Sequence, residues 1–317
     1  MRPLEGCLVI DFSTLLPGPL ATLLLAEAGA EVIKIERPGV DDMPSLAELN
    51  RGKKRLVVDL KRPDDHQRLQ PLLARADVLV EQFRPGVMAR LGLGYDAVLR
   101  INPRIIYCSI TGYGQHGPRS GAAGHDLNYI AETGLLSQSM GTPSSPVIPP
   151  ALLADIAGGS YPAVINILLA LRDRDRTGGG RHLDVSMTDN LFPLMHGRSV
   201  VTGGSPRYRL YQTKDGRMLA VGALEQKFWD AFCDVVNLDP ALRDDARDPH
   251  ATASRVSEIV ASETADMWRQ RIAGRDCCCS VVATLEEARR DPHFVTRGIF
   301  PSPGSALAVP LDAAFRR

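Results

Sequence analysis

The chain has 317 residues, room for about two domains at roughly 150 residues each, and its 44% hydrophobic and 23% charged content is that of an ordinary globular protein. Its 37 basic and 37 acidic side chains cancel, which argues against a nucleic-acid binder, and no apolar run of about 18 residues predicts a membrane span. The six cysteines, Cys7, Cys108, Cys233, Cys277, Cys278 and Cys279, form neither a disulfide framework nor a zinc spacing. Reduced thiols, no metal and a cytoplasmic setting are therefore expected, and MRPLEGCLVIDFS is too polar before its first strand for a signal peptide.

In chain order, CLVIDFS reads as a strand, LATLLLAEAG as a helix, and EVIKIE and RLVVDL as strands. RLQPLLARA is helical, DVLVEQF is a strand, residues around Val87 to Leu91 are helical, and RIIYCSITG is a strand. These strands are continuous apolar runs, the pattern of a parallel sheet buried on both faces. Alternation with helices then predicts a doubly wound, Rossmann-like α/β domain over residues 1–200. A long helix starts at Asp155, with Ile156, Ala163, Val164, Ile167, Leu168 and Leu171 at helical spacing, and TGGG (Thr177 to Gly180) ends it. Gly- and Ser-rich residues near Ser199 to Pro206 predict a domain boundary. Beyond it, RLYQTKDGRMLAVGAL is a hairpin about Asp215 and Gly216, followed by helices around KFWDAFCDVV and RVSEIVASE and a strand at CCSVVAT. This segment, 201–300, is expected to be a smaller α+β domain.

The strand–helix–strand from Cys7 to Glu36 has STLLPGPLA where a dinucleotide site would need G-x-G-x-x-G, and neither a P-loop nor a G-x-S-x-G elbow is present. Basic residues gather in the loops of the first domain: Arg37, Lys53, Lys54, Arg55, Arg84 and Arg90. They are a candidate phosphate-binding set, because Arg and Lys pair well with phosphate and several lie near strand ends. As isolated features, His125 is a loop histidine, Asp155 a helix N-cap stabilised by the helix dipole, and Glu225 a first-turn acid at a strand–helix junction. Gly158 and Gly159 would let a ligand approach the helix start closely.

Taken together, GCLVIDFSTLLPGPLATLLLAEAGAEVIKIERP, LNRGKKRLVVDLK, VLVEQFRPGVMARLGLGYD, IIYCSITGYGQHGP, AGHDLNYIAETGLL, the helix from Asp155 through RTGGGRHLDVSM, TKDGRMLAVGALEQKFW and RDPHFVTRGIF resemble the class III CoA-transferase (CaiB/BaiF) family. The order is preserved over nearly the whole chain, and the nearest branch is that of the α-methylacyl-CoA racemases. The resemblance implies a homodimer of interlocked chains, with the active site between one subunit's large domain and the other's small domain, and a C-terminal segment, 301–317, returning to the large domain. It implies an acyl-CoA thioester substrate, with coenzyme A entering as part of the substrate and no tightly bound cofactor. The carboxylate matching Asp155 is the nucleophile in the transferases and an acid/base group in the racemases. His125, in GHD-x-N-Y, and Glu225, in VGA-x-E, match the racemase branch. The activity this implies is 2-methylacyl-CoA racemisation by His125 and Asp155 on opposite faces of C2, with Glu225 orienting or tuning the pair. Backbone N–H groups at the Asp155 helix start would stabilise the enolate. CoA transfer through an aspartyl anhydride, or CoA-thioester binding without catalysis, are the alternatives. The chain departs from the family in stopping at LAVPLDAAFRR and in its cysteine triplet.

Overall fold

The computed structural model describes residues 2–39, 47–196, 204–300 and 308–315. The chain divides into two compact units, one of Met1–His196 and Ala306–Arg317, the other of Gly197–Ser305. The boundary expected at 200/201 lies outside the described residues.

The first unit is built on a six-stranded parallel sheet: β1 (Leu8–Asp11), β2 (Glu31–Glu36), β3 (Lys54–Val57), β4 (Val78–Glu81), β5 (Ile106–Thr111) and β6 (Arg181–Ser186). The spatial order is β3-β2-β1-β4-β5-β6. Between β1 and β4 the winding reverses, the place where such sheets leave a crevice for ligands at their carboxyl edge. Each β4 and β5 residue is buried, which is why those strands read as largely apolar runs without alternation. One face of the sheet carries Val9, Val78, Val80, Ile106, Cys108 and Ile110, covered by helix α1 (Pro17–Glu27) and by the long helix. The alternate residues Ile10, Leu79 and Tyr107 face the other way and meet Leu69 and Leu73 of helix α2 (Pro63–Arg75). Helix α1 is buried along almost its whole length, because the C-terminal residues Val309 and Leu311 close over Leu20, Leu23 and Leu24 on its far side.

The helix expected from Asp155 is two elements. Ala154–Ser160 forms a π-turn, and the α-helix proper, α3, runs from Tyr161 to Thr177. Pro162 supplies the physical reason. It has no N–H for the Gly158 carbonyl four residues back, so the ladder slips there. The Tyr161 N–H bonds the Ile156 carbonyl instead, and Asn190 Nδ2 donates to the orphaned Gly158 carbonyl at 2.8 Å. Gly178 ends the helix in the left-handed conformation at φ 81°. Among the described residues, Ala154–Thr177 is long and apolar enough by composition to cross a membrane, which corrects the expectation that no such segment exists. Here Ala163, Ile167 and Ala170 are packed into the sheet's core.

The second unit has a three-stranded antiparallel sheet. A hairpin pairs β7 (Tyr208–Gln212) with β8 (Met218–Gly222), and β9 (Cys279–Val281) lies on the other side of β8. Gly216, at φ 77°, makes the hairpin turn. Trp229, Phe232, Val256, Val260 and Trp268 fill its core. The two indole N–H groups donate to the carbonyls of Arg243 (2.7 Å) and Val260 (2.9 Å), so neither is buried unsatisfied. The six cysteines are free thiols.

Candidate active site

His125 is placed by the backbone around it. It is the N-cap of the short helix Asp126–Glu132, and its backbone N–H donates to Asn128 Oδ1 at 3.1 Å. The preceding carbonyl, of Gly124, accepts from the Tyr129 hydroxyl at 2.6 Å. A Cβ on Gly112 or Gly124 would lie 2.5 Å from the Tyr129 ring, so both positions must be glycine for the ring to sit there. Tyr113 packs edge-on against it at 5.3 Å. The loop that presents His125 is thus clamped by one buried tyrosine, while the imidazole itself stands exposed.

Asp155 lies in the first turn of the π segment. Its backbone N–H donates to Asp126 Oδ1 at 3.0 Å, and the next N–H, of Ile156, donates to the Leu152 carbonyl at 3.1 Å. Both groups are occupied, which corrects the expectation that they await an enolate oxygen. Burial, reinforced by the neighbouring Asp126 carboxylate, pushes Asp155 up to about 6, with His125 pulling the other way. Gly158 and Gly159 do not make room for a ligand. A Cβ on Gly158 would run into the Met187 carbonyl, and one on Gly159 would lie 3.1 Å from Pro17 Cβ. Their missing side chains let the turn pack against the chain after β6.

His125 and Asp155 line one cavity of about 800 Å³. Arg84, Thr111, Asn128 and Tyr129 share the wall, and Leu15, Leu16, Phe83, Ile110, Leu152 and Met187 give it an apolar stretch. That size and mixture suit an organic ligand with an apolar arm and a few polar anchors.

Of the six basic residues proposed from the sequence, the structure brings Arg84 to this wall. Lys53 is a correction. Its side chain is 0% exposed and its ammonium is held inside the protein by Asp11 (3.1 Å), the Pro19 carbonyl (2.9 Å), Thr22 Oγ1 (2.8 Å) and Asn50 Oδ1 (3.1 Å). Lys34, which the sequence reading passed over, shares the same carboxylate at 3.5 Å. Burial alone would raise Asp11, but Lys53 and Lys34, with bonds from Ser13 and Thr22, outweigh it and hold the carboxyl at about 2. Lys54 pairs with Glu31 at 2.7 Å on exposed surface, and the exposed Arg55 reaches the largely buried Glu36 carboxylate at 2.6 Å, both between the edge strand β3 and its neighbour. Arg37 and Arg90 are exposed and stand outside the cavity lining.

Glu225 belongs to the second unit. It is the N-cap of the helix Gln226–Val235, where its backbone carbonyl receives the N–H groups of Phe228 and Trp229, both at 3.0 Å, and its side chain is exposed. Two contributors went unassigned in the sequence reading: Asp126, which fixes and charges the surroundings of Asp155, and Thr111, a cavity-wall hydroxyl. Position at the carboxyl end of a parallel strand was the available signal for Thr111.

The sequence profile described as CoA-transferase family III matches residues 4–306. Human (Homo sapiens) alpha-methylacyl-CoA racemase is 36% identical over 94% of this chain and 82% of its own length. Succinyl-CoA:glutarate CoA-transferase of Mus musculus is 35% identical over 94% of this chain and 76% of its own length. Among solved structures, Rv3272 from M. tuberculosis superposes with a TM-score of 0.88 at 30% identity, covering 100% of this chain and 94% of that one. Profile, relatives and fold agree over nearly the full length, and this chain belongs to CoA-transferase family III.

Proposed function

We propose that the protein is a racemase interconverting (R)- and (S)-2-methylacyl-CoA thioesters. The observation that carries this reading is the meeting of His125 and Asp155 in one cavity. Racemisation at C2 removes a proton from one face and returns one to the other. A histidine and a carboxyl held near neutrality can exchange the roles of acid and base, so the reaction runs both ways. The apolar wall takes the acyl chain, Arg84 meets a phosphate of the CoA moiety, and the reading keeps Glu225 as the group that orients or tunes the pair. The step is a proton transfer, so its chemistry calls for no tightly bound cofactor. The substrate brings its own coenzyme A. The proposal includes a homodimer, whose second copy would cover the apolar side chains that the long helix leaves exposed.

The 35% identity to a CoA-transferase favours a second reading, in which Asp155 attacks the thioester and CoA passes to another acid. NMR of C2 deuteration on both epimers, with mass spectrometry of the protein, separates the two. Wild type should exchange the C2 hydrogen in deuterated water. His125→Ala and Asp155→Asn should each lose racemisation by about 10² to 10⁴-fold, and each should retain exchange on the opposite epimer. Absence of exchange together with an acyl or CoA adduct on Asp155 would replace the racemase reading by the transferase one.

A further inference from the structure

The cavity wall includes a residue whose hydroxyl the two-base scheme leaves idle. Thr111 is the last residue of β5, at the carboxyl edge of the sheet, and it lines the same cavity as His125 and Asp155. Its backbone is fixed, because its carbonyl accepts the Met187 N–H at 2.8 Å. The residue is 6% exposed, yet its Oγ1 has no hydrogen-bond partner among the described residues. Other hydroxyls on these strands are satisfied: Ser109 Oγ meets His182 Nε2 at 3.0 Å and Ser186 Oγ meets Thr188 Oγ1 at 3.1 Å. Leaving a buried hydroxyl unpaired costs folding free energy, so such a group in a pocket wall points to a partner that arrives with the ligand.

The chemistry defines that partner. Taking the C2 proton moves negative charge onto the thioester oxygen, and the enolate forms readily only if a donor faces that oxygen. The N–H groups of Asp155 and Ile156 are already spent on Asp126 and Leu152. We infer that the Thr111 hydroxyl donates a hydrogen bond to the thioester oxygen of the bound substrate, and that this bond strengthens as the enolate forms. The assignment rests on the reading of this cavity as the thioester site. The hydroxyl is well suited to the task, since it breaks no internal bond when it turns toward substrate.

Thr111→Val removes the hydroxyl and keeps the branched shape, and Thr111→Ser restores a donor. The wild-type arm, C2 deuteration of a 2-methylacyl-CoA, tests the reading of the site. The ratio of variant to wild type tests Thr111. Thr111→Val should lose about 10² to 10³-fold in kcat with a much smaller change in KM, Thr111→Ser should recover most of it, and the Tm of Thr111→Val should equal or exceed that of wild type. A structural role would instead lower Tm. If wild type transfers CoA and leaves C2 hydrogen alone, the same ratio is read on the transfer rate, because attack of Asp155 also charges that oxygen. Thr111→Val with wild-type kcat in whichever reaction the protein performs overturns the assignment, and a wild type with neither activity overturns both it and the reading of the site.

Discussion

Asp155 is a carboxyl with two negative influences and one positive one. Burial and Asp126 hold it up to about 6, and His125 eases it down. A base must be ionised to act, so kcat/KM measured in the direction where Asp155 takes the proton should fall as pH drops through about 6. Asp126→Asn removes the neighbouring charge but keeps a side-chain oxygen for the Asp155 N–H. Loss of a like charge favours the ionised form, so the acidic limb should move to lower pH in this variant; a limb that stays in place would mean that Asp126 does not set it. His125, Asp155 and Glu225 were readable as candidates because the motifs around them are specific, whereas their settings were not. The basic run shows the limit most clearly. Lys53, Lys54 and Arg55 look alike in sequence, but the chain turns Lys53 inward to Asp11 and leaves the other two on the surface beside Glu31 and Glu36. That outcome depends on β1, which lies some 40 residues away in the chain, and no local pattern records it.

At the scale of elements, the parallel sheet was legible because a strand buried on both faces is mostly apolar, and β4 and β5 are, apart from Glu81, Ser109 and Thr111 toward their carboxyl ends. The start of the long helix lies next to where the sequence puts it, at Ala154, but its opening π-turn was not legible, although Pro162 was in view. A proline two residues into a helix is ordinary, and the slip into a π-turn appears only when the Gly158 carbonyl has Asn190 to replace its lost donor. The helix Tyr95–Ile101 was missed because it is short and carries only one fully buried side chain, Val98. The glycines of the turn were visible, but their use was not. Their reason is packing against Met187, and it yields a test. Gly158→Ala drives a methyl group into the Met187 carbonyl, an overpacking that should cost about 1–3 kcal/mol. Urea unfolding of the variant measures it. Stability equal to wild type would show that the turn yields freely there and that the glycine is not needed for close approach.

At the scale of the whole molecule, the described residues leave an apolar stripe uncovered. Along the long helix, Tyr161, Ile165, Leu168 and Leu169 sit one turn apart on a single face, and Ile165 and Leu169 are 56% and 63% exposed. The opposite face, with Ala163, Ile167 and Ala170, is the one packed on the sheet. Such a stripe contributes to the apolar character by which the segment resembles a membrane span, and it is also the kind of exposed patch that contacts between proteins cover. A second copy of the chain is the occupant that fits the proposed homodimer, since a self-complementary patch closes on its own two-fold axis. Sedimentation equilibrium at micromolar concentration should therefore give twice the 34.4 kDa chain mass. Replacing Ile165 and Leu169 together by aspartate puts two charges on each side of that contact and should leave monomers, with far-UV circular dichroism unchanged because neither side chain is in the core. A wild type that sediments as a monomer and is fully active would refute the dimer. A variant that stays dimeric would move the contact off this helix.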